Sequence, residues 1–259
     1  MSNLALNAAA DSMHNDELRL ADISNNLANL NTTAYKKGRI EFADLMYQEQ
    51  KMIGADPGDG SKSPGGVQIG NGSQIIATTP LFTQGDLNHT SRDLDVAIEG
   101  IGFFKVEHPS GEVYSRDGSW RVNSEGDVVT SSGYKVSGLP NLKNHTNLFI
   151  SDNGEITVQY ADRQESYKLS LYRVPSPSAL KKLGNNLYGL TAASGEAQAG
   201  EAGKEGMGHI RHQYLEASNV KAVDEMVSMI TVQRGYEIKA KVVQTADHME
   251  GTTSQLKAS

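Results

Sequence analysis

The chain contains no cysteine, which removes disulfide staples and thiolate chemistry and leaves the redox compartment open. It also lacks a surplus of positive charge. Its 24 Lys and Arg residues stand against 31 Asp and Glu, a formal net charge of −7, so there is no basic face for nucleic acid and no polybasic anchor for anionic lipid. No apolar run approaches the length of about 20 residues that a membrane span requires. The first basic residue is Arg19, and residues 4–10 are too short and too weakly apolar for the h-region of a secretory signal. Work outside the cytoplasm would therefore need an export route that reads something other than a cleaved signal. Hydrophobic residues make up 37% of the 259, which is low for one compact core and favours an elongated or self-associating protein.

Motifs that carry chemistry are equally scarce. Gly100-Ile101-Gly102 begins like a dinucleotide fingerprint, but the third glycine is missing and strand-forming residues follow where a helix should open. His209 and His212 stand in an H-x-x-H spacing beside a Gly-rich loop without the Glu of a zincin, so they read as solvated histidines. Asp93 and Asp95 occupy alternate positions of an extended segment and read as a turn cap or surface pair rather than an acid–base couple. No nucleophile elbow or Ser–His–Asp pattern is present. The sequence thus offers no catalytic residues, no metal ligands and no cofactor site, and the protein is not read as an enzyme.

What it does have is a helical pattern at both ends. In residues 215–256, Val223, Val227, Ile230, Ile238, Val242, Thr245, Met249, Thr252 and Leu256 recur at steps of three and four, with Arg234 as the only charged intruder, which predicts one long helix with a single apolar stripe. Ser218 or Asn219 is placed to cap its start. Gly235 is its one weak helix former, a place for close packing or a slight bend. At the other end Leu6, Met13, Leu20 and Leu27 are spaced by seven, and Ala9, Ile23 and Leu30 fall three beyond such positions, an a/d pattern broken at Asp16. The expected fold class is therefore mixed α+β: long N- and C-terminal helices forming a coiled-coil-like α domain around a central antiparallel β-rich domain. The asparagines among residues 25–31 are poor helix formers whose amides suit a helix end or a subunit contact.

The interior of the chain reads differently. Residues 51–66 are rich in Gly, Pro, Asp, Ser and Lys, a mobile insertion by composition. From residue 67 to 191 short apolar runs such as Val96-Ala97-Ile98, Phe103-Phe104-Lys105-Val106 and Ile156-Thr157-Val158 alternate with the turn dipeptides Ser110-Gly111, Glu125-Gly126, Ser132-Gly133 and Asn153-Gly154, which predicts an antiparallel meander or barrel. Asn153-Gly154 is the sharpest hairpin signal. The expected organisation is 1–48 for the N-terminal helix and extended segment, 49–66 for the insertion, 67–191 for the β domain, 192–213 for a Gly-rich return linker and 214–259 for the C-terminal helix.

Several blocks of this sequence carry a resemblance. Ser24-Asn25-Asn26-Leu27-Ala28-Asn29, Asp44-Leu45-Met46-Tyr47-Gln48, Gln84-Gly85-Asp86-Leu87, Asp95-Val96-Ala97-Ile98-Glu99-Gly100-Ile101-Gly102-Phe103-Phe104, Tyr114-Ser115-Arg116-Asp117-Gly118 and Leu215-Glu216-Ala217-Ser218-Asn219-Val220 resemble, in order, the bacterial flagellar rod and hook family. The likeness continues through Met226-Val227-Ser228-Met229-Ile230-Thr231-Val232-Gln233-Arg234-Gly235-Tyr236-Glu237. The insertion followed by Gly66-Val67-Gln68-Ile69-Gly70 is most similar to the distal-rod branch, with proximal rod and hook subunits as alternatives. A departure is Gly235, where the family more usually has Ala. A secreted surface-binding β-protein is the reading from another class, and it would need a cleft of converging titratable groups that the sequence does not show.

The resemblance implies a structural subunit, exported through the flagellar type III apparatus, that stacks helically with copies of itself into a tube. That tube would transmit torque from motor to hook and leave an export channel. Proximal rod proteins, the hook protein and the ring that serves as bushing are the implied partners, with no nucleic acid and no membrane insertion. The candidate assembly residues are Leu20, Leu27, Val223, Val227 and Ile230 on the apolar seams. Asn25, Asn26, Gln233, Arg234 and Tyr236 join them as polar contacts with no evident task inside the chain.

Overall fold

The computed structural model describes residues 2–51, 67–109, 111–143, 146–160 and 163–258. Most of the expected insertion, residues 52–66, lies outside the described residues, as does Ser110 of one expected turn. Helix α1 covers Ser2–Ala28 and helix α2 covers Ala222–Ala258. Among the described residues there is no other α-helix, and the chain between is strands, loops and one 3-10 turn at Pro177–Ala179. The chain forms two compact units. One comprises Met1–Asn26, Gly38–Thr79 and Ala222–Ser259, the other Leu27–Lys37 and Pro80–Lys221.

The second unit is the β-rich body. A four-stranded sheet runs Lys181–Gly184, Leu187–Gly189, Gly111–Ser115, Phe104–His108, and a three-stranded meander runs Asn147–Ile150, Glu155–Gln159, Gln164–Lys168. The meander turns at Asn153-Gly154 as its sequence indicates: Ile150 pairs with Ile156, and Gly154 adopts φ +80°, a left-handed conformation that only glycine enters without strain. A Cβ there would lie 2.7 Å from the Leu169 carbonyl oxygen. Period-two alternation then sends Leu148, Ile150, Ile156 and Val158 to one face, where they join Val96, Ile98, Phe104, Trp120, Leu169, Leu171 and Ile210 in the main core. The Phe104 and Trp120 rings meet edge to face at 4.8 Å, a geometry aromatic quadrupoles favour. Within residues 192–213 two strands form: Gln198–Glu201 pairs with Ser170–Arg173, and His209–His212 with Val96–Glu99.

The first unit has little apolar core. One side of α1 holds the extended chain through polar groups. Asn15 Nδ2 donates to the Ser73 carbonyl at 2.7 Å, the Asn26 amide both donates to and accepts from the Gly38 backbone at 3.1 and 2.9 Å, and the Arg19 guanidinium lies over the Phe42 ring at 5.2 Å. Another side meets α2 through Lys239 Nζ, 2.6 Å from Asp16 Oδ2, and Tyr236 Oη, 3.4 Å from Glu17 Oε1. Gly235 faces this contact, the position its Cβ would occupy lying 3.7 Å from Asp16 Oδ2.

These contacts correct the expected fold class. The central β-rich part is present, but the long helical coiled-coil-like α domain is not: the described residues hold two α-helices in a mostly β chain. Knobs-into-holes packing needs the large aliphatic residues of one helix seated between those of the other. Here Val223, Val227, Ile230, Ile238, Val242 and Met249 are exposed, and Val232 is the stripe's buried neighbour on the inward face. The inward face of α2 carries Ala222, Glu225, Met229, Val232, Gly235, Tyr236, Lys239, Ala240, Val243 and Ala246, rotated by one or two residues from the stripe. The expected N-cap also differs. α2 begins at Ala222, the Asn219 amide is engaged elsewhere, and Ser218 Oγ accepts from the Val220 N–H at 3.3 Å.

Candidate assembly surface

The outward face of α2 is the first feature that demands an explanation. A helix on a folded protein ordinarily turns its aliphatic stripe inward, yet Val223 is 72% exposed, Val227 58%, Ile230 51% and Ile238 63%. Scattered exposed residues need no account, but a row at helical spacing does. Between α1 and α2 the polar contacts leave an open cleft of about 310 Å³ lined by Asp16, Arg19, Ile23, Val227, Thr231 and Gly235 among others. Val227 belongs both to the stripe and to the rim of this cleft.

The structure separates the candidate residues into two sets. Val223, Val227, Ile230, Gln233 and Arg234 are exposed on α2, and Asn25 is exposed on α1. Asn26 is 1% exposed, with its amide engaged by the Gly38 backbone, and Tyr236 reaches Glu17. Both therefore have work inside the chain that the sequence did not reveal. Leu20 and Leu27 are half-buried on α1.

A second cluster was not singled out from the sequence, although it is built from the blocks that carried the resemblance. In the second unit Glu216 is buried between two cations: Lys36 Nζ lies 2.6 Å from its Oε1 and Arg116 Nε 3.0 Å from its Oε2. The Gly85 N–H donates to Oε1 at 2.9 Å. Lys36 also donates to the Thr83 carbonyl at 2.7 Å, and Arg116 Nη2 to those of Ile98 and Gly100 at 3.2 and 2.9 Å. Burial draws the Lys36 ammonium below the usual lysine range, against the upward pull of Glu216, because desolvation disfavours the charged form. Two motif glycines serve close approach: a Cβ at Gly85 would collide with the Ala217 carbonyl and one at Gly118 with that of Val96. The available signal was the presence of Arg116 and Glu216 inside the blocks that carry the resemblance.

Features expected to be chemically inert have ordinary tasks. His212 Nε2 lies 2.9 Å from the Asp93 carbonyl, Asp93 accepts from Gln213 Nε2 at 2.8 Å, and Gly100 and Gly102 take positive φ beside Gly208 and Leu171. Asp95 is buried rather than on the surface, 3.4 Å from Arg92. Among the described residues no group of three or more His, Cys, Asp and Glu is placed to hold a metal, and no helix is long and apolar enough to cross a membrane.

Comparison with known proteins gives the family. Residues 211–256 match the family model described as flagellar basal body rod FlgEFG protein C-terminal, and residues 97–158 match the flagellar hook protein FlgE/F/G D1 domain. Flagellar basal-body rod protein FlgG of Borreliella burgdorferi is 42% identical over 262 residues, covering 98% of each chain. The FlgG proteins of Agrobacterium fabrum and Caulobacter vibrioides are 39% and 38% identical, each over 97% or more of both chains. The chain belongs to the FlgG family of flagellar basal-body rod proteins. As a FlgG-family member it is a structural subunit of the distal rod and not an enzyme, it resides in the flagellar basal body, and it assembles with other rod and hook components. The C-terminal FlgEFG match takes in α2 with its exposed stripe.

Proposed function

We propose that the outward stripe of α2 is the surface by which successive copies of this subunit stack into the tube of the distal rod. Val223, Val227 and Ile230 supply the apolar centre, and Gln233, Arg234 and Asn25 the polar rim. The observation that carries this reading is the row of aliphatic side chains left in water by its own chain, since apolar area gains free energy only when something covers it. A helical stack of identical subunits covers it through one repeated heterologous contact, which propagates instead of closing. The assembled tube passes torque from motor to hook and leaves a channel for later subunits. Proximal rod proteins below, the hook protein above, ring proteins around and the type III export apparatus are the proposed partners. Residues 49–66 are proposed as an insertion specific to the rod's distal part.

The test is electron microscopy of basal bodies from a strain lacking this chain, complemented with the wild type or with Ile230→Asp. Rods that stop short of the hook with no chain and with the variant, and run full length with the wild type, support the reading. Full-length rods bearing hooks in the variant strain overturn it.

A further inference from the structure

We infer that Lys36, Glu216, Arg116 and Asn219 form a clasp, inside the β-rich unit, that fixes the register of three of the four places where the chain crosses between units, kept for position and not for stability. The inference rests on the reading of the chain as a torque-bearing rod subunit. The chain enters the β-rich unit at Leu27, leaves it after Lys37, re-enters it at Pro80 and leaves again after Lys221. On that unit's side the last three of these crossings are bonded to one another in a closed ring. The Lys37 N–H donates to Asn219 Oδ1 at 2.8 Å, Asn219 Nδ2 to the Leu81 carbonyl at 2.8 Å, and the Leu81 N–H to the Lys37 carbonyl at 2.9 Å. Beneath the ring Glu216 joins the same three segments, taking Lys36 from the first, the Gly85 N–H from the second and the Ala34 N–H on its own carbonyl at 2.7 Å.

Two cations share one carboxylate here, so the cluster carries surplus buried charge. Lys36, Arg116 and Glu216 are at most 4% exposed, and apolar side chains of the same volume commonly replace such a triad without loss of stability, whereas removing one partner is severe. What apolar side chains do not supply is direction. Lys36 and Arg116 direct further donors to the carbonyls of Thr83, Ile98 and Gly100, which fixes the alignment of these segments. A subunit that twists under load needs its crossings held in one register, and this ring holds them.

The experiment compares Glu216→Leu, the triple variant Lys36→Met with Arg116→Met and Glu216→Leu, and Asn219→Ala. Each is read by thermal melting, by amide exchange at Lys37 and Leu81 in the purified monomer, and by motility at matched expression. Glu216→Leu strands two buried cations and is expected to lower Tm by about 10 °C. The triple variant is expected to recover Tm to within a few degrees while Lys37 and Leu81 exchange about tenfold faster or more and motility is lost. Asn219→Ala, which buries no charge, is expected to melt near the wild type with the same faster exchange and reduced motility, and it decides the matter if the triple variant does not fold. Unchanged exchange in Asn219→Ala, or full motility in a variant whose ring exchanges quickly, overturns the clasp. The exchange arm uses monomer alone, so it stands or falls separately from the stacking reading, which Ile230→Asp tests.

Discussion

Ile230 offers the sharpest perturbation of the stripe. It is 51% exposed, and full burial of such a side chain is worth about 1.5–3 kcal/mol, so the half left in water contributes about 1 kcal/mol when a neighbour covers it. Ile230→Ala should therefore weaken each subunit addition by about fivefold. Ile230→Asp adds the cost of desolvating an unpaired carboxylate, several kcal/mol, and should weaken addition by at least about a hundredfold. Neither change disturbs the isolated chain by more than about 0.5 kcal/mol, because the site faces solvent. Val227 and Val223, at 58% and 72% exposure, should give the same ordering of Ala and Asp variants. The assay is basal-body yield and rod length at matched expression, beside circular dichroism of the purified monomer. Wild-type rod length with Ile230→Asp, or loss of folded monomer in that variant, would refute the reasoning.

Other expectations follow from the interior. Asn26→Ala leaves the Gly38 N–H and carbonyl without their partner and should cost about 2 kcal/mol in thermal unfolding. Gly154→Ala sets a side chain at φ +80° against the Leu169 carbonyl and should lower the urea midpoint by the equivalent of about 1–3 kcal/mol. Burial raises the Asp117 pKa, opposed by the Ser119 hydrogen bonds, so ionisation is disfavoured in the folded chain and the folded state is penalised as pH rises through that raised pKa. Asp117→Asn retains an acceptor for the Ser119 N–H. It should therefore melt higher than the wild type at neutral pH, with the advantage fading as pH falls into the acid range.

How much of this was legible beforehand differs by element. Turn chemistry was plain at Asn153-Gly154, because a residue pair that tolerates positive φ between two alternating runs has few other uses. The existence of both helices was legible from periodicity, and their mutual packing was not. Periodicity registers large aliphatic residues, and on α2 most of those point outward, while the inward face mixes Ala222, Gly235, Ala240 and Ala246 with Glu225 and Lys239 and only Met229, Val232 and Val243 among the larger aliphatic residues. The rule that a stripe faces its own core fails where, as we propose for this one, the partner is another chain. Asn26 and Glu216 escaped for a related reason. Asn26 bonds backbone groups in the segment that follows its helix, and Glu216 bonds cations far along the chain, Lys36 lying 180 residues away; no helical or strand periodicity reports such pairings.

Because the chain has no cysteine of its own, one cysteine at Ile230 reports the stripe alone. Maleimide should label Ile230→Cys rapidly in purified monomer and at least about tenfold more slowly in intact basal bodies. Equal labelling in both would show that the row of aliphatic side chains stays in water throughout the rod's life, and the stacking surface would have to lie elsewhere.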